Sequence, residues 1–364
     1  MSIERIAVLG AGNAGHAMAA DLALAGLQVN LYELPEFERN LDPVRERGGI
    51  EITGVVRQGF ARLNRVTSDI AEAAEDVEHI LVATQALAHE RLAKLCAPYV
   101  HEGQAIILLP GSGGALVFGK AVRGRGVITA ETVTLPYACR VVEPAHVHVH
   151  AGPGVREVVG VFPACQTDRV IEPLRALYPM LVPAANVLEV ALYNPNVLLH
   201  PIGTLFNIGR IEYTKGEFWM YKEGFTPSVW KIVEALDREK MALLQALGLK
   251  TMPYKEHYQW RYEKPWLDFA AASSKGPFNA NTRYITEDVP IGMVLWASLG
   301  DLLGVATPTA RAIIHICSVI QNTDYWAQGR TVEKLGLANM SISELLRYLE
   351  TGIKRVGKIG GGMV

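Results

Sequence analysis

The feature that most constrains this chain is a short apolar run, residues 6–9, that ends in Gly10-Ala11-Gly12-Asn13-Ala14-Gly15. A GxGxxG string alone is shared by many unrelated proteins. Here it follows a buried-strand pattern, opens a helical pattern over residues 14–25 and begins a βαβ unit, the setting in which the string binds a dinucleotide. Gly10 permits the tight turn, Gly12 lets the backbone approach a pyrophosphate, and Gly15 lets the helix pack close to the strand. The unpaired amides at the helix start, around Asn13 and Ala14, then hold the phosphates.

The next apolar run, residues 29–32, ends at Glu33. A carboxylate at that strand end bonds the adenosine ribose hydroxyls and repels a 2′-phosphate, so NAD is favoured over NADP. Arg39, a few residues on, could offset this preference. Ligands bind at the carboxyl ends of parallel strands, which directs Thr84 and Gln85 to the same crevice and adds the glycine-rich turn 110–114 as a flanking element. For these positions ordinary loop chemistry is the competing reading.

Further apolar runs at 79–83, 105–109 and 127–132 show little alternation, as parallel strands buried on both faces do. Helical patterns at 86–99 and 114–122 separate them. More strands are expected within 137–163, then a helix near 168–177 and a short strand near 180–189. From about residue 190 the pattern is helical, with segments near 195–212, 228–246, 308–320 and 342–350. Pro195, Pro227 and Pro308 each follow Asn or Thr, a cap-then-proline helix start. The expected class is an α/β Rossmann domain with a parallel-rich, doubly wound sheet (1–188), then a mainly α-helical catalytic domain (189–356) and a flexible tail (357–364).

Composition removes other classes. The formal net charge is −2, from 35 basic and 37 acidic residues, which does not suit a protein built to coat nucleic acid or an anionic membrane. No apolar run approaches the roughly 20 residues of a membrane span. Four cysteines, none in a CxxC pair, read as reduced thiols of a cytoplasmic protein. A strand that begins at residue 5 leaves no room for a signal peptide. His146, His148 and His150 alternate along one strand face, but no acidic or cysteine ligand completes a metal site, and no metal is expected. The aromatic cluster within 254–266 reads first as packing, with an apolar side-chain pocket as the alternative.

Chemistry is expected at the start of the helical domain. With Asn194 as N-cap and Pro195 at the first helical position, Asn196 and His200 share one face near the helix beginning. A histidine there can donate and accept protons near neutral pH. Arg283 suits a bidentate grip on a carboxylate, and Asp288 could orient an imidazole. A core histidine and a surface ion pair are the bland readings of these residues. Cys139 could line the site, without a reactive role.

With these motifs in place the chain resembles the opine dehydrogenases, the octopine/nopaline dehydrogenase family. The resemblance runs through Val8 to His16, Asn194 to Pro201, Glu223 to Val229, Asn281 to Tyr284 with Glu287-Asp288, and Gly329 to Leu337. It implies NAD(P)H-dependent reduction of the imine formed between an α-keto acid such as pyruvate and an amino acid or amine, with a homodimer allowed for. It also implies roles: His200 as general acid/base with Asp288 as its partner, Arg283 on the keto-acid carboxylate, Cys139 against the keto-acid portion, and Asn196 placing substrate. Two other readings stand beside it. One is a glycerol-3-phosphate dehydrogenase or ketopantoate reductase relative, although Ala191-Leu192-Tyr193-Asn194 lacks the lysine those families carry there. The other is a non-catalytic NAD-binding protein.

Overall fold

The computed structural model describes residues 3–266 and 275–354. Its strands are β1 (Arg5–Leu9), β2 (Gln28–Tyr32), β3 (Ile50–Gly54), β4 (Gly59–Ala61), β5 (Arg65–Thr67), β6 (His79–Val82), β7 (Ala105–Leu108), β8 (Ile128–Thr132), β9 (Ala138–Glu143), β10 (His146–Ala151), β11 (Glu157–Phe162) and β12 (Leu181–Pro183). Helices of seven residues or more are α1 (Asn13–Leu24), α2 (His89–Cys96), α3 (Gly114–Ala121), α4 (Thr167–Leu177), α5 (Val187–Tyr193), α6 (Pro195–Leu205), α7 (Pro227–Ala246), α8 (Tyr254–Tyr262), α9 (Val294–Leu303), α10 (Pro308–Gln321) and α11 (Ile342–Thr351).

The main sheet has eight strands in the order β12-β11-β8-β7-β6-β1-β2-β5. Every pairing is parallel except β11 with β8. Strand order reverses at β1, between β2 on one side and β6 on the other. This is the switch point where a doubly wound sheet opens a crevice. Residues 6–9 are fully buried, which explains their unbroken apolar run: both faces of β1 are covered.

A second sheet, β4-β3-β10-β9, changes the expected layout. β9 and β10 belong to it rather than to the main sheet, and only β11 of the 137–163 region joins the main sheet, antiparallel. The second sheet lies on α1. That helix is therefore sandwiched between two sheets, and residues 15–22 are all buried. A helix covered on both sides shows no apolar stripe, so its periodicity is weak. β3, β4 and β5 were not expected from the sequence, because they are short and only partly buried, without the unbroken apolar run that marks the central strands.

Other boundaries also shift. The helix expected at 86–99 begins with a 3₁₀ turn, Ala86–Ala88, before α2. The strand expected near 180–189 stops at Pro183, because the Asn186 side chain accepts from the amides of Leu188 and Glu189 and starts α5. The helix expected over 195–212 divides into α6 and Ile208–Tyr213. Of the three cap-then-proline starts, Asn194 caps with its side chain, 2.9 Å from the Asn196 amide, whereas Thr226 and Thr307 make no such bond. The tail 357–364 lies outside the described residues.

One hydrophobic cluster runs from the β1–β6–β7 face of the main sheet, through α2 and α3, into α5 to α11. The helical half therefore shares its core with the sheet half. Among the described residues no helix is long and apolar enough to cross a membrane.

Candidate active site

The glycine loop leaves β1 at the switch point. Gly10 sits at φ 109°, and a Cβ there would lie 2.8 Å from Thr84 Cγ2. A Cβ on Gly15 would lie 1.6 Å from the Gly10 carbonyl oxygen, whereas the Cβ direction at Gly12 meets nothing within 4 Å. So Gly10 and Gly15 are compelled by packing, and Gly12 faces open space. The N-terminus of α1 has no side-chain cap and no acidic residue in its first turn, which leaves its amides and dipole for an anion. Thr84 Oγ1 beside the loop is buried without a partner among the described residues. The open Gly12 face, the uncapped amides and the orphaned hydroxyl fit a dinucleotide pyrophosphate.

The other predicted cofactor residues differ in state. Asn13 Oδ1 accepts from the Val141 amide at 2.8 Å, and its carbonyl accepts from Cys139 Sγ at 3.3 Å. Its side chain thus ties the loop to β9. Ala14 is at the second position of α1. Gln85 is exposed. Glu33 is buried, with one carboxylate oxygen accepting from the Ala11 amide at 2.9 Å and the other from the Leu34 amide at 2.9 Å. Asn40 adds a longer bond at 3.3 Å. A carboxylate has about four acceptor sites, so Glu33 braces the glycine loop and keeps capacity for a hydroxyl. Arg39 is exposed nearby.

The helical half brings His200 and Asp288 together. His200 Nδ1 is 2.8 Å from Asp288 Oδ2. An ionised carboxylate only accepts, so Nδ1 carries the proton and Nε2 is left as the second working nitrogen. Nε2 lies 3.2 Å from the Tyr221 hydroxyl. The imidazole is also stacked on Tyr284, with ring centroids 3.9 Å apart at 21°. Buried, bonded at both nitrogens and clamped flat, the ring has one orientation. Asp288 and Tyr221 each sit in a π-helical turn, Asp288–Met293 and Met220–Gly224, and both turns pack on α6.

Arg283 is exposed, and its guanidinium makes no ion pair or hydrogen bond to the described residues. Its charge and that of Arg140 draw the Tyr284 phenol down against the dominant upward push of burial, so two guanidinium groups act on the ring that stacks on His200. Asn196 is half-buried, and its side chain makes no hydrogen bond to the described residues. Cys139 is 3% exposed, and burial pushes its thiol up to about 11. It is a neutral packing group under the loop. Beyond Tyr221, stacked and tilted rings continue through Phe225 and Trp230 to Trp266, which also meets Tyr254 and Tyr258. The 254–266 region is thus helix α8 and its extension, walling the histidine side of the site.

Buried polar groups lock the crevice loops to the helical half. Arg330 donates to the carbonyls of Gly111, Ser112 and Ala86 at 2.9, 2.7 and 3.2 Å. Asn194 Nδ2 donates to Ser112 Oγ at 2.8 Å, and the Ala86 amide donates to Glu287 Oε1 at 2.6 Å. Below the loop, Glu131 accepts from the Gly113 and Ala115 amides at 2.8 Å each, and burial raises it to about 7. Sequence reasoning assigned no role to Tyr221, Tyr284, Arg330 or Glu131. For Tyr221 no local signal existed. Arg330 and Tyr284 each lie in a motif that carried the resemblance, which was the available hint.

His146 Nε2 and His148 Nδ1 both bond Thr53 Oγ1, at 3.1 and 3.0 Å. Among the described residues no group of three or more His, Cys, Asp or Glu side chains is arranged to hold a metal ion.

Residues 183–321 match the family model described as NAD/NADP octopine/nopaline dehydrogenase, alpha-helical domain. Residues 6–161 match that of ketopantoate reductase PanE/ApbA. The chain is 36% identical over 356 residues to the opine dehydrogenase of Arthrobacter sp. (strain 1C), covering 94% of this chain and 98% of that one. It is 26% identical over 349 residues to the vitopine synthase of Allorhizobium ampelinum (strain ATCC BAA-846 / DSM 112012 / S4), covering 92% and 96%. An octopine dehydrogenase structure with NADH and pyruvate shares the fold at TM-score 0.77 and 19% identity, covering 97% of this chain and 99% of that one. Yersinopine dehydrogenase with NADP+ bound does so at 0.70 and 16%, covering 96% and 98%. On the strength of the Arthrobacter likeness over nearly the full length of both chains, this chain belongs to the opine dehydrogenase family of NAD(P)-dependent oxidoreductases acting on CH–NH bonds.

Proposed function

We propose that this chain reduces the imine formed between an α-keto acid such as pyruvate and an amino acid or amine, giving an N-(carboxyalkyl) amino acid. The observation that carries this reading is the His200–Asp288 pair, fixed at 2.8 Å, beside an arginine whose guanidinium has no protein partner among the described residues.

In this reading the dinucleotide lies across Gly10, Gly12, Asn13, Ala14 and Gly15, with Thr84 and Gln85 toward its reactive end, and when bound it supplies hydride. His200 accepts a proton from the attacking ammonium and returns one to the departing oxygen. Asp288 holds the tautomer that leaves Nε2 available and stabilises the imidazolium. Arg283 grips the keto-acid carboxylate with two parallel hydrogen bonds. An opine carries a second carboxylate when the amine is an amino acid, and Arg140 supplies the second cation. Asn196 places substrate, and Cys139 lines the keto-acid portion as a neutral group. The aromatic wall favours an apolar side chain on the amine partner. Glu33 at the ribose position favours NAD, with Arg39 as the group that would admit NADP.

We divide the chain at about residue 188 into a dinucleotide-binding part and a catalytic helical part. Four unpaired cysteines suit a cytoplasmic enzyme, and the reading allows a homodimer.

The test is NADH oxidation with pyruvate and each of the twenty standard amino acids. Turnover that requires both partners supports the reading. Turnover with keto acid alone assigns a hydroxy-acid dehydrogenase instead, and tight NADH binding without turnover leaves a binding protein.

A further inference from the structure

We propose that Tyr221 is the group that passes the proton between His200 Nε2 and the substrate, so that the acid/base device of this enzyme is a three-residue relay, Asp288–His200–Tyr221. The proposal rests on the reading of His200 as the proton carrier.

The geometry is directional. Asp288 occupies Nδ1, Tyr284 covers one face of the imidazole, and the Tyr221 hydroxyl stands 3.2 Å from Nε2. A proton leaving or reaching Nε2 along its lone-pair direction therefore meets the phenol oxygen first. Tyr221 is fixed there by its own turn. The Glu223 carboxylate accepts from the Trp219 amide at 2.8 Å and pairs with Arg210 at 2.8 Å, closing the start of the turn. Asn207 Nδ2 donates to Gly203 O on α6 and to Gly224 O at the end of the turn, at 2.9 and 3.0 Å. The π-helical turn is thus pinned to the helix that carries His200, so the two side chains move together.

The chemistry of a buried phenol suits a relay. Burial holds Tyr221 far above the ordinary phenol range, and the nearby Tyr284, Tyr262 and Asp288 push the same way while Arg283 opposes. It therefore stays protonated at any working pH. A phenol both donates and accepts, so it can receive one proton as it gives up another without becoming an anion. In the condensation, the substrate ammonium gives a proton to the Tyr221 oxygen as the Tyr221 proton moves to Nε2. The freed amine lone pair forms the C–N bond, and the carbonyl π pair goes to oxygen. Proton transfer from nitrogen to that oxygen completes a neutral carbinolamine. The relay then runs in reverse. Imidazolium gives its proton to Tyr221, Tyr221 gives one to the carbinolamine hydroxyl, and water leaves as the nitrogen lone pair forms the C=N bond. His200 and Tyr221 end as they began, and the iminium carries the charge that the ammonium brought.

The experiment uses Tyr221→Phe, which keeps the ring and removes the hydroxyl. With NADH, pyruvate and the most active amino acid of the panel, kcat is expected to fall about 100-fold, within the usual range of general acid–base catalysis, while the KM for NADH stays within about two-fold. The limb of the kcat–pH profile that reports His200 should shift. In a His200→Ala background the same change should cost nothing further, because residues acting as one unit are not additive. Equal losses in both backgrounds would show that Tyr221 acts independently and would overturn the relay, as would a kcat and pH profile like those of the parent. A second measurement needs no turnover. In ¹⁵N-histidine spectra the Nε2 signal of His200 should move on Tyr221→Phe while Nδ1 keeps its Asp288-bonded position, and an unmoved Nε2 sinks the proposal. Absence of turnover in the parent enzyme counts against the proposed reaction, and the spectra still decide whether the tyrosine engages Nε2.

Discussion

A histidine becomes a proton carrier when one nitrogen is held and the other is left for the reaction. In this chain Asp288 does the holding, so His200→Ala should lower reductive turnover by about 10²–10⁴ while NADH binding, read by fluorescence titration, is unchanged. Asp288→Asn should approach the same loss, because an amide can present N–H to Nδ1 and stabilise the other tautomer. The role proposed for Glu33 is a different discrimination. Glu33→Ala should shift the kcat/KM ratio toward NADPH, and since Glu33 also braces the Ala11 amide, the KM for NADH should rise as well; an unmoved ratio would mean that Glu33 does not read the ribose. Histidines outside the site set the acid limit of the fold. His79 is buried with both ring nitrogens unpartnered among the described residues, and burial lowers it to about 4. The unfolded chain takes up this proton near 6.5, so between pH 6.5 and 4 the unfolded state binds more protons and stability falls as the pH drops. The contribution is full above 6.5, and about 3 kcal/mol is lost by pH 4. Melting curves across that window should be shallower for His79→Leu than for the parent.

At the scale of elements, the site depends on how closely two π turns approach α6. A Cβ on Gly292, in the Asp288 turn, would lie 2.1 Å from Val197 Cγ2 on α6. Gly292→Ala must therefore push the turn that carries Asp288 away from the helix that carries His200. Overpacking of this kind costs about 1–3 kcal/mol, and kcat should fall with it although no reacting group is altered. Trimming the neighbour in Gly292→Ala/Val197→Ala should restore part of both, as read by melting temperature and kcat together. The start of helix α6 was legible, because Asn194-Pro195 marks it, but its end was not: the apolar spacing ran on to 212 and the helix stops at Leu205. The π turns were not. The five-residue turn that carries Tyr221 lies between an extended residue and an irregular one, too short for periodicity to read, and so Tyr221 escaped notice.

For the whole molecule, the relevant fact is that the helical half and the sheet half share one core and are joined by a buried guanidinium. Arg330 donates to three crevice carbonyls and is 4% exposed. Arg330→Met would fill the space yet take the donor from the Ser112 carbonyl, while Gly111 O and Ala86 O keep the Gly114 and His89 amides, and an unsatisfied buried group costs about 1–3 kcal/mol. The melting temperature should drop by several degrees, and NADH binding should weaken, because the 110–114 turn loses its anchor. Closure of two domains over a cleft is a common way for an enzyme to bring substrate to its cofactor. A continuous core opposes a wide hinge, so small-angle scattering should show little change in radius of gyration on adding NADH.

Local chemistry was sufficient for the glycine loop and the strand and helix beside it. Gly10, Gly12 and Gly15 follow a strand and precede a helix, and short-range geometry leaves that string few other uses. The same holds for the start of α6 and for the run of buried parallel strands. The second sheet was hidden, because β3 and β9 are nearly ninety residues apart and meet only through β10. The proposed catalytic pair is an intermediate case: residues 200 and 288 could be nominated from their types, but nothing in either segment specifies a 2.8 Å contact. That contact, the Tyr284 stack, the Tyr221 bond and the Arg330 lock all join residues that are far apart along the chain. Periodicity and capping act over a few residues, whereas such meetings are decided by how whole elements pack.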